Sequence, residues 1–246
     1  SQRDKMLASI RTTGLNAPVG IVNDAMLGVL AGTTEGWGVA VVAGTSCNCW
    51  GRDRSGREGR MTGFSWMGEA AGAGELVLKA IQAIARAWTW RAPATRLTEA
   101  FVQLAGASDA VDLLEGLSSG RIHVGPDAAP LVFRVAAEGD AVAQDLIVWA
   151  GRELADMAIG VIRQLGFESL EFEVVLAGSF FKGSPVLADV MRETIHAVAP
   201  GACLVRLHVP PVVGGVILGM EQSGVRPSAV RQTLIESASR LLRYDE

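Results

Sequence analysis

Stripes and runs of apolar residues divide the chain into short strands and long helices. Arg3 to Arg11 reads as a short amphipathic helix, with Met6, Leu7 and Ile10 on one side. Pro18 to Val22 reads as a short strand, and the pattern turns helical from Ala25 to Ala31, closed by Gly32. Val39 to Ala43 is a β-branched run of strand length, and Asn48 to Trp50 is a second strand. A glycine turn at Ser55-Gly56 follows, so this region reads as antiparallel hairpins. Gly63-Phe64-Ser65-Trp66 is a loop that enters a helix at Gly68-Glu69. Glu69 to Trp88 then carries Leu76, Ala80, Ile84 and Ala87 on one helical stripe.

The helical pattern continues for most of the middle of the chain. Leu97 to Leu117 predicts one or two helices, stopped by Ser118-Ser119-Gly120. After a loop at Ile122 to Pro126, Pro130 to Glu138 and Ala141 to Leu165 are helical, and Gly166 ends the latter. Strands resume at Phe172 to Ala177, with a return helix over Pro185 to Ala199 and a further strand over Cys203 to Val209. Pro210 to Gly215 reads as a turn, Val216 to Met220 starts a helix, and Ser228 to Arg243 is a terminal amphipathic helix. Because strands flank the helical block, it reads as an insertion in an α/β domain.

Composition narrows the function classes. The 246 residues are 49% hydrophobic and 20% charged, enough for a sizeable core and too apolar for disorder. A net charge of −4 argues against general nucleic-acid binding, which needs a basic surface. No apolar run is long enough to cross a bilayer and no signal-peptide pattern opens the chain, so the cytoplasm is the expected location. Cys47, Cys49 and Cys203 make no disulfide framework, and His123, His196 and His208 lie far from the Cys47-x-Cys49 pair in sequence. Buried free thiols are expected rather than a metal site. Trp88 and Trp90 are expected as packing or surface anchors.

Candidate chemistry sits where strands end. Asp24 stands between a predicted strand and a predicted helix, where it can be an N-cap or a carboxylate exposed at a strand's carboxyl end. Glycine-rich turns follow three strands, at Gly44, at Gly178 and at Gly214-Gly215, and together they suggest a nucleotide pocket.

Asn23-Asp24-Ala25, VAGTSCNC, GFSWMGEAAGAG, LAGSFFKG and VVGGVILG occur in an order that resembles the N-acetylglucosamine kinase family, grouped with the BadF-type ATPases. The resemblance implies an α/β, ribonuclease-H-like lobe of the actin-like ATPase fold: a mixed sheet with N-terminal hairpins and a helical insertion. It implies ATP with Mg²⁺ and a sugar held in a cleft between two lobes, with no metal ligand supplied by the residues named below. Asp24 then matches the base that takes a proton from the sugar hydroxyl, beside Asn23 and Thr45, with Gly63 and Phe64 in the sugar loop. Gly44, Thr45 and Ser46 match the second phosphate loop, and Gly178, Ser179, Lys182, Gly214 and Gly215 match turns on the adenosine side. The expected partner is a small-molecule sugar, not a nucleic acid or a membrane, and the expected assembly is a homodimer.

The sequence also departs from that pattern. Ser46 stands where the family usually has glycine, the sugar loop is one residue shorter with Ser65 for a glycine, and the family's Gly-Asp-Glu-Gly run reads Gly68-Glu69-Ala70-Ala71. The family's early Asp-Gly-Gly-Thr-like phosphate loop has no match before Asn23, so the chain reads as a fragment with little kinase activity alone. Residues 1–33 then finish a first lobe, 34–224 form the second with its insertion at about 69–165, and 225–246 return to the first. The expected activity is phosphorylation of N-acetylglucosamine, glucosamine or a similar amino sugar. The alternatives are a BadF-type ATPase activator and a non-catalytic sugar-binding regulator.

Overall fold

The computed structural model describes residues 2–14, 19–64, 67–225 and 230–242, and its organising feature is a five-stranded sheet covered on both faces. Helices α1 (Gln2–Arg11) and α2 (Asp24–Gly32) precede strands β1 (Gly38–Ala43), β2 (Cys47–Arg52) and β3 (Glu58–Arg60). Helices α3 (Ala73–Trp88), α4 (Leu97–Ala105), α5 (Ala110–Ser119), α6 (Ala129–Ala137) and α7 (Ala141–Leu165) follow. Strand β4 (Phe172–Ala177), helix α8 (Pro185–His196), strand β5 (Ala202–Arg206) and helices α9 (Val212–Gln222) and α10 (Arg231–Leu242) complete the chain. The strand order is β3-β2-β1-β4-β5. β1 to β3 form the expected antiparallel hairpins, whereas β1, β4 and β5 run parallel. The mixed sheet and its helical insertion are as the sequence implied.

Alternation along the strands decides which helices cover which face. Val39, Val41 and Ala43 of β1, with Val174 and Leu176 of β4, join one large buried cluster with residues of α3, α7 and α8. Ala40 and Val175 point the other way and pack with Met26, Val29 and Leu30 of α2 and Val213 and Ile217 of α9. Leu154, Ala158, Val161 and Ile162 give α7 its fully buried stripe, which explains its 25 residues: it traverses the sheet. Helix α10 packs on α9, and the Arg231 guanidinium donates to the carbonyl oxygens of Leu30 and Thr33 at the end of α2.

Several expected boundaries shift. The strand expected over Pro18 to Val22 is absent from the sheet among its described residues, 19–22, and Pro18 lies outside them. β5 ends at Arg206, three residues early, because its partner ends: Arg206 pairs with Leu176, next to the last residue of β4. Cys49 is buried and Cys47 half-buried, but Cys203 is exposed, since it alternates outward from buried Ala202 on an edge strand. Trp88 and Trp90 both lie on the surface, Trp90 almost wholly exposed. Among the described residues, no helix is long and apolar enough to cross a membrane.

Candidate active site

The parallel strands β1 and β4 both end at the same side of the sheet, and the turns at Gly44 and Gly178 leave from there. In open α/β sheets this carboxyl edge is where ligands bind. β1 leads into the turn Gly44-Thr45-Ser46 and returns as β2, with Ala43 paired to Cys47. Within the turn the Gly44 N–H donates to the Ser46 carbonyl at 2.9 Å. The Thr45 and Ser46 N–H groups find no hydrogen-bond partner among the described residues, and both residues are exposed. Two adjacent free N–H donors in a tight turn are suited to a phosphate oxygen.

Helix α3 locks this turn in place. It starts at Ala73, not at Gly68-Glu69, and its first N–H groups are already used: Ala73 donates to the Gly44 carbonyl and Gly74 to that of Thr45, both at 2.9 Å. Glu75 reaches back to accept the Gly72 N–H at 3.1 Å, closing the helix entry. The residues before it stay non-helical because other groups hold them. The Cys47 Sγ accepts the Ala71 N–H at 3.2 Å and lies 3.5 Å from the Glu69 carbonyl oxygen. Burial pushes the Cys47 thiol up to about 11, so it stays protonated and can donate to that carbonyl. Cys49, fully buried, is pushed up further by the same cause.

At the start of α2 the capping role falls to Asn23, not Asp24. The Asn23 Oδ1 accepts the Ala25 N–H at 3.0 Å, and Asp24 is already the first helical residue. The Asp24 Oδ1 also accepts that N–H, at 2.9 Å, while its side chain is exposed. Asn23 is fixed in turn by the Asn48 Nδ2, which donates to its Oδ1 at 3.2 Å. Asn48 lies on β2 opposite Val42, so Asn23 and Asp24 sit beside the end of β1 and the turn that follows it.

After β4 the chain turns sharply at Gly178, where φ is 102°. A Cβ at Gly178 would stand 2.1 Å from the Ala43 carbonyl oxygen, so only glycine lets the two strand ends lie this close. Ser179 to Lys182 form a short 3-10 turn beyond it. Gly44, Thr45, Ser179 and Lys182 line one cavity of about 760 Å³, together with Pro130, Phe133, Arg134 and Ala137 of α6. That volume suits a nucleotide, since small-molecule pockets span roughly 300–1,000 Å³.

The other expected positions, Asn23, Asp24, Ser46, Gly63, Phe64, Gly178, Gly214 and Gly215, do not line this cavity. Gly63 and Phe64 belong to an exposed segment tied to Glu69, whose carboxylate accepts N–H groups from Thr62, Gly63 and Phe64. Ser65 and Trp66 lie outside the described residues. Gly214 and Gly215 are not in a turn: α9 begins at Val212 and includes both. Gly214 lies against the Leu27 backbone of α2, and neither glycine lines the cavity. The α6 wall escaped the sequence reading because Pro130, Phe133, Arg134 and Ala137 repeat like the inner face of any amphipathic helix. Asn48 was equally hidden, since only strand pairing brings it to Asn23.

No family model matches the chain. An N-acetyl-D-glucosamine kinase from Dictyostelium discoideum is 25% identical over 228 residues, covering 89% of this chain and 72% of that protein. An N-acetylmuramic acid/N-acetylglucosamine kinase from Clostridium acetobutylicum is 24% identical over 219 residues, covering 87% of this chain and 71% of that protein. Among solved structures, a provisionally named N-acetylglucosamine kinase from Chromobacterium violaceum superposes with a TM-score of 0.58 at 21% identity, covering 82% of this chain and 68% of that one. The α/β fold shared with that structure and the two kinases' alignment over most of the chain bear out the resemblance: this chain is similar to the N-acetylglucosamine kinases.

Proposed function

We propose that this chain carries the catalytic half-site of an ATP-dependent amino-sugar kinase of the N-acetylglucosamine kinase type. The observation that carries the reading is the convergence of the Gly44-Thr45-Ser46 turn, the Ser179–Lys182 turn and the start of α2 at one edge of the sheet. The relatives' alignment over most of the chain supports it.

The nucleotide's base and ribose fit between Phe133, Ala137 and the Ser179–Lys182 turn, with Arg134 and Lys182 as cations at the wall. Its phosphates then reach the free N–H groups of Thr45 and Ser46. Mg²⁺ would arrive on the nucleotide's phosphates and neutralise part of their charge. The sugar is taken by Asp24 and Asn23, with Phe64, a residue 55% exposed, in the loop that the resemblance assigns to the sugar.

Asp24 takes the proton of the acceptor hydroxyl as that oxygen bonds to the γ-phosphorus. The bond from the γ-phosphorus to the β–γ bridging oxygen breaks, and ADP leaves with that oxygen's negative charge. The N–H groups of Thr45 and Ser46 hold the charge on the moving phosphoryl group, which is where this reaction needs stabilisation.

The test is coupled ADP release from the full-length protein with N-acetylglucosamine, glucosamine, N-acetylmannosamine and glucose. An amino sugar should stimulate release most. ATP turnover that no sugar stimulates would replace this reading with the ATPase activator, and sugar binding without turnover with the regulator. Within the same assay, Lys182→Ala should raise the KM for ATP about tenfold, the effect of losing one charge-assisted hydrogen bond. The sugar KM should stay near normal, and an unchanged KM for ATP removes Lys182 from the site.

A further inference from the structure

Helix α6 walls the cavity of about 760 Å³ on one side and a second cavity on the other. The second, of about 510 Å³, lies between α4 and α6 and is lined by Ala100, Gln103 and Leu104 of α4 and Leu131 of α6. It shares Asp127, Pro130 and Arg134 with the larger one. Pro130 and Arg134 stand one helical turn apart, so they form a ridge between the two. Phe133 and Ala137 face only the larger cavity, and Leu131 only the smaller. Asp24, Thr45, Ser46 and Lys182 have no part in the smaller one.

This groove is apolar along its length and charged at its ends. Ala100, Leu104, Pro130 and Leu131 supply hydrocarbon, and Leu104 is 54% exposed, a large apolar side chain left open to water. Asp127 and Arg134 lie about 10 Å apart along the α6 wall. The Arg134 Nε is 3.9 Å from the Glu138 Oε1, but Arg96 holds Glu138 more closely. The Arg96 Nη1 is 3.6 Å from the Glu138 Oε2, and its Nη2 donates to the Glu138 carbonyl oxygen at 2.6 Å. Two guanidinium groups thus share one carboxylate, which leaves positive charge at the Arg134 end. A molecule with an apolar body and one negative charge fits this arrangement, its body on Leu104 and Leu131 and its charge at Arg134. Asp127 sets the orientation, because it repels the charged head from the other end. The volume is within the roughly 300–1,000 Å³ of small-molecule sites.

We infer that the groove between α4 and α6 is an effector site for a small amphipathic anion, whose binding draws Arg134 away from the nucleotide. The inference rests on the reading of the larger cavity as the ATP site. An Arg134 turned toward the groove is a cation removed from the nucleotide's wall, so the effector weakens ATP binding. ATP weakens the effector's binding by the same factor, because coupling between two sites is reciprocal. The sugar, at Asp24 and Asn23, makes no use of Arg134 and is left alone.

The probe is anilinonaphthalene sulfonate, an apolar body with one negative charge whose fluorescence rises in apolar surroundings. Titrated into this chain, it should bind about tenfold more weakly to Arg134→Ala, the effect of losing one charge-assisted hydrogen bond. Leu104→Glu and Gln103→Glu each set a negative charge in the groove at an exposed position. Each should weaken binding at least about fivefold, roughly the repulsion of two unit charges 4 Å apart in water. Uncharged anilinonaphthalene should bind wild type about tenfold more weakly than the sulfonate. In the full-length protein, saturating probe should raise the KM for ATP about five- to tenfold, to a plateau, and leave that for the sugar within about twofold. Leu104→Glu should abolish that rise while its own KM values stay near wild type. Binding that both Glu variants leave unchanged overturns the groove as the site, and either variant decides alone if the other does not fold. Equal binding of the uncharged analogue overturns the anion. A KM for ATP that climbs without a plateau puts the probe in the nucleotide cavity, and groove binding with an unaltered KM overturns the coupling through Arg134. A wild type without ATP turnover faults the functional reading instead, and probe binding to this chain still decides whether the groove is a site.

Discussion

Asp24→Asn is expected to leave the protein folded and almost inactive. The helix loses nothing essential, because the Asn23 Oδ1 already accepts the Ala25 N–H that Asp24 shares. An Asn at this position keeps an oxygen for the same bond. The remaining cost is the loss of one negative charge in the first turn of α2, about 0.3–1 kcal/mol at an exposed site. The chemistry has no such substitute. An amide cannot take a proton from a hydroxyl, and removing a general base lowers rates by about 10²–10⁴-fold. Turnover of the full-length protein on its best sugar should therefore fall at least about a hundredfold, while the melting temperature and sugar affinity stay close to wild type. Turnover within a few-fold of normal would dismiss Asp24 as the base. The Asn23 cap is what makes the experiment clean, since it separates stability from catalysis at adjacent residues.

The strands that frame the site were legible because burial on both faces leaves a plain signature. Val39 to Ala43 and Phe172 to Ala177 are apolar runs of strand length, and they match β1 and β4 within a residue. The turns after them were legible for the same reason, since glycine directly after a buried strand marks a tight exit. What the sequence hid were features made by tertiary contact. Glu69 to Gly72 has the composition of a helix start, yet Cys47 and the 62–64 loop claim its backbone and carboxylate first, so α3 begins at Ala73. Asn23 and Asp24 are both good caps, and which one serves depends on Asn48 reaching across from β2. Phe133 and Arg134 gave no signal at all, because a helix face turned toward a ligand has the same period as one turned toward a core.

Gly214 and Gly215 show how one sequence feature can carry two unrelated requirements, and they give the largest stability contrast. The pair resembles a phosphate turn, but both residues lie in the first turn of α9. A Cβ on Gly214 would stand 2.2 Å from the Leu27 carbonyl oxygen of α2, whereas one on Gly215 meets only the tip of the Leu27 side chain at 4.0 Å. In a helix, alanine is favoured over glycine by about 1 kcal/mol at either position. Gly215→Ala should keep that gain and stabilise slightly. Gly214→Ala must push two helix backbones apart, and overpacking of this kind costs about 1–3 kcal/mol, with backbone overlap placing it at the upper end. At about 2–4 °C per kcal/mol for a domain of this size, the loss should be roughly 6–12 °C in melting temperature for Gly214→Ala. Gly215→Ala should melt at or a little above wild type. Differential scanning calorimetry on the two variants reads both results. Equal destabilisation would mean that α9 does not rest on α2 through Gly214. In that case the start of α2, and Asp24 with it, would lose the support that the α9 contact gives this edge of the sheet.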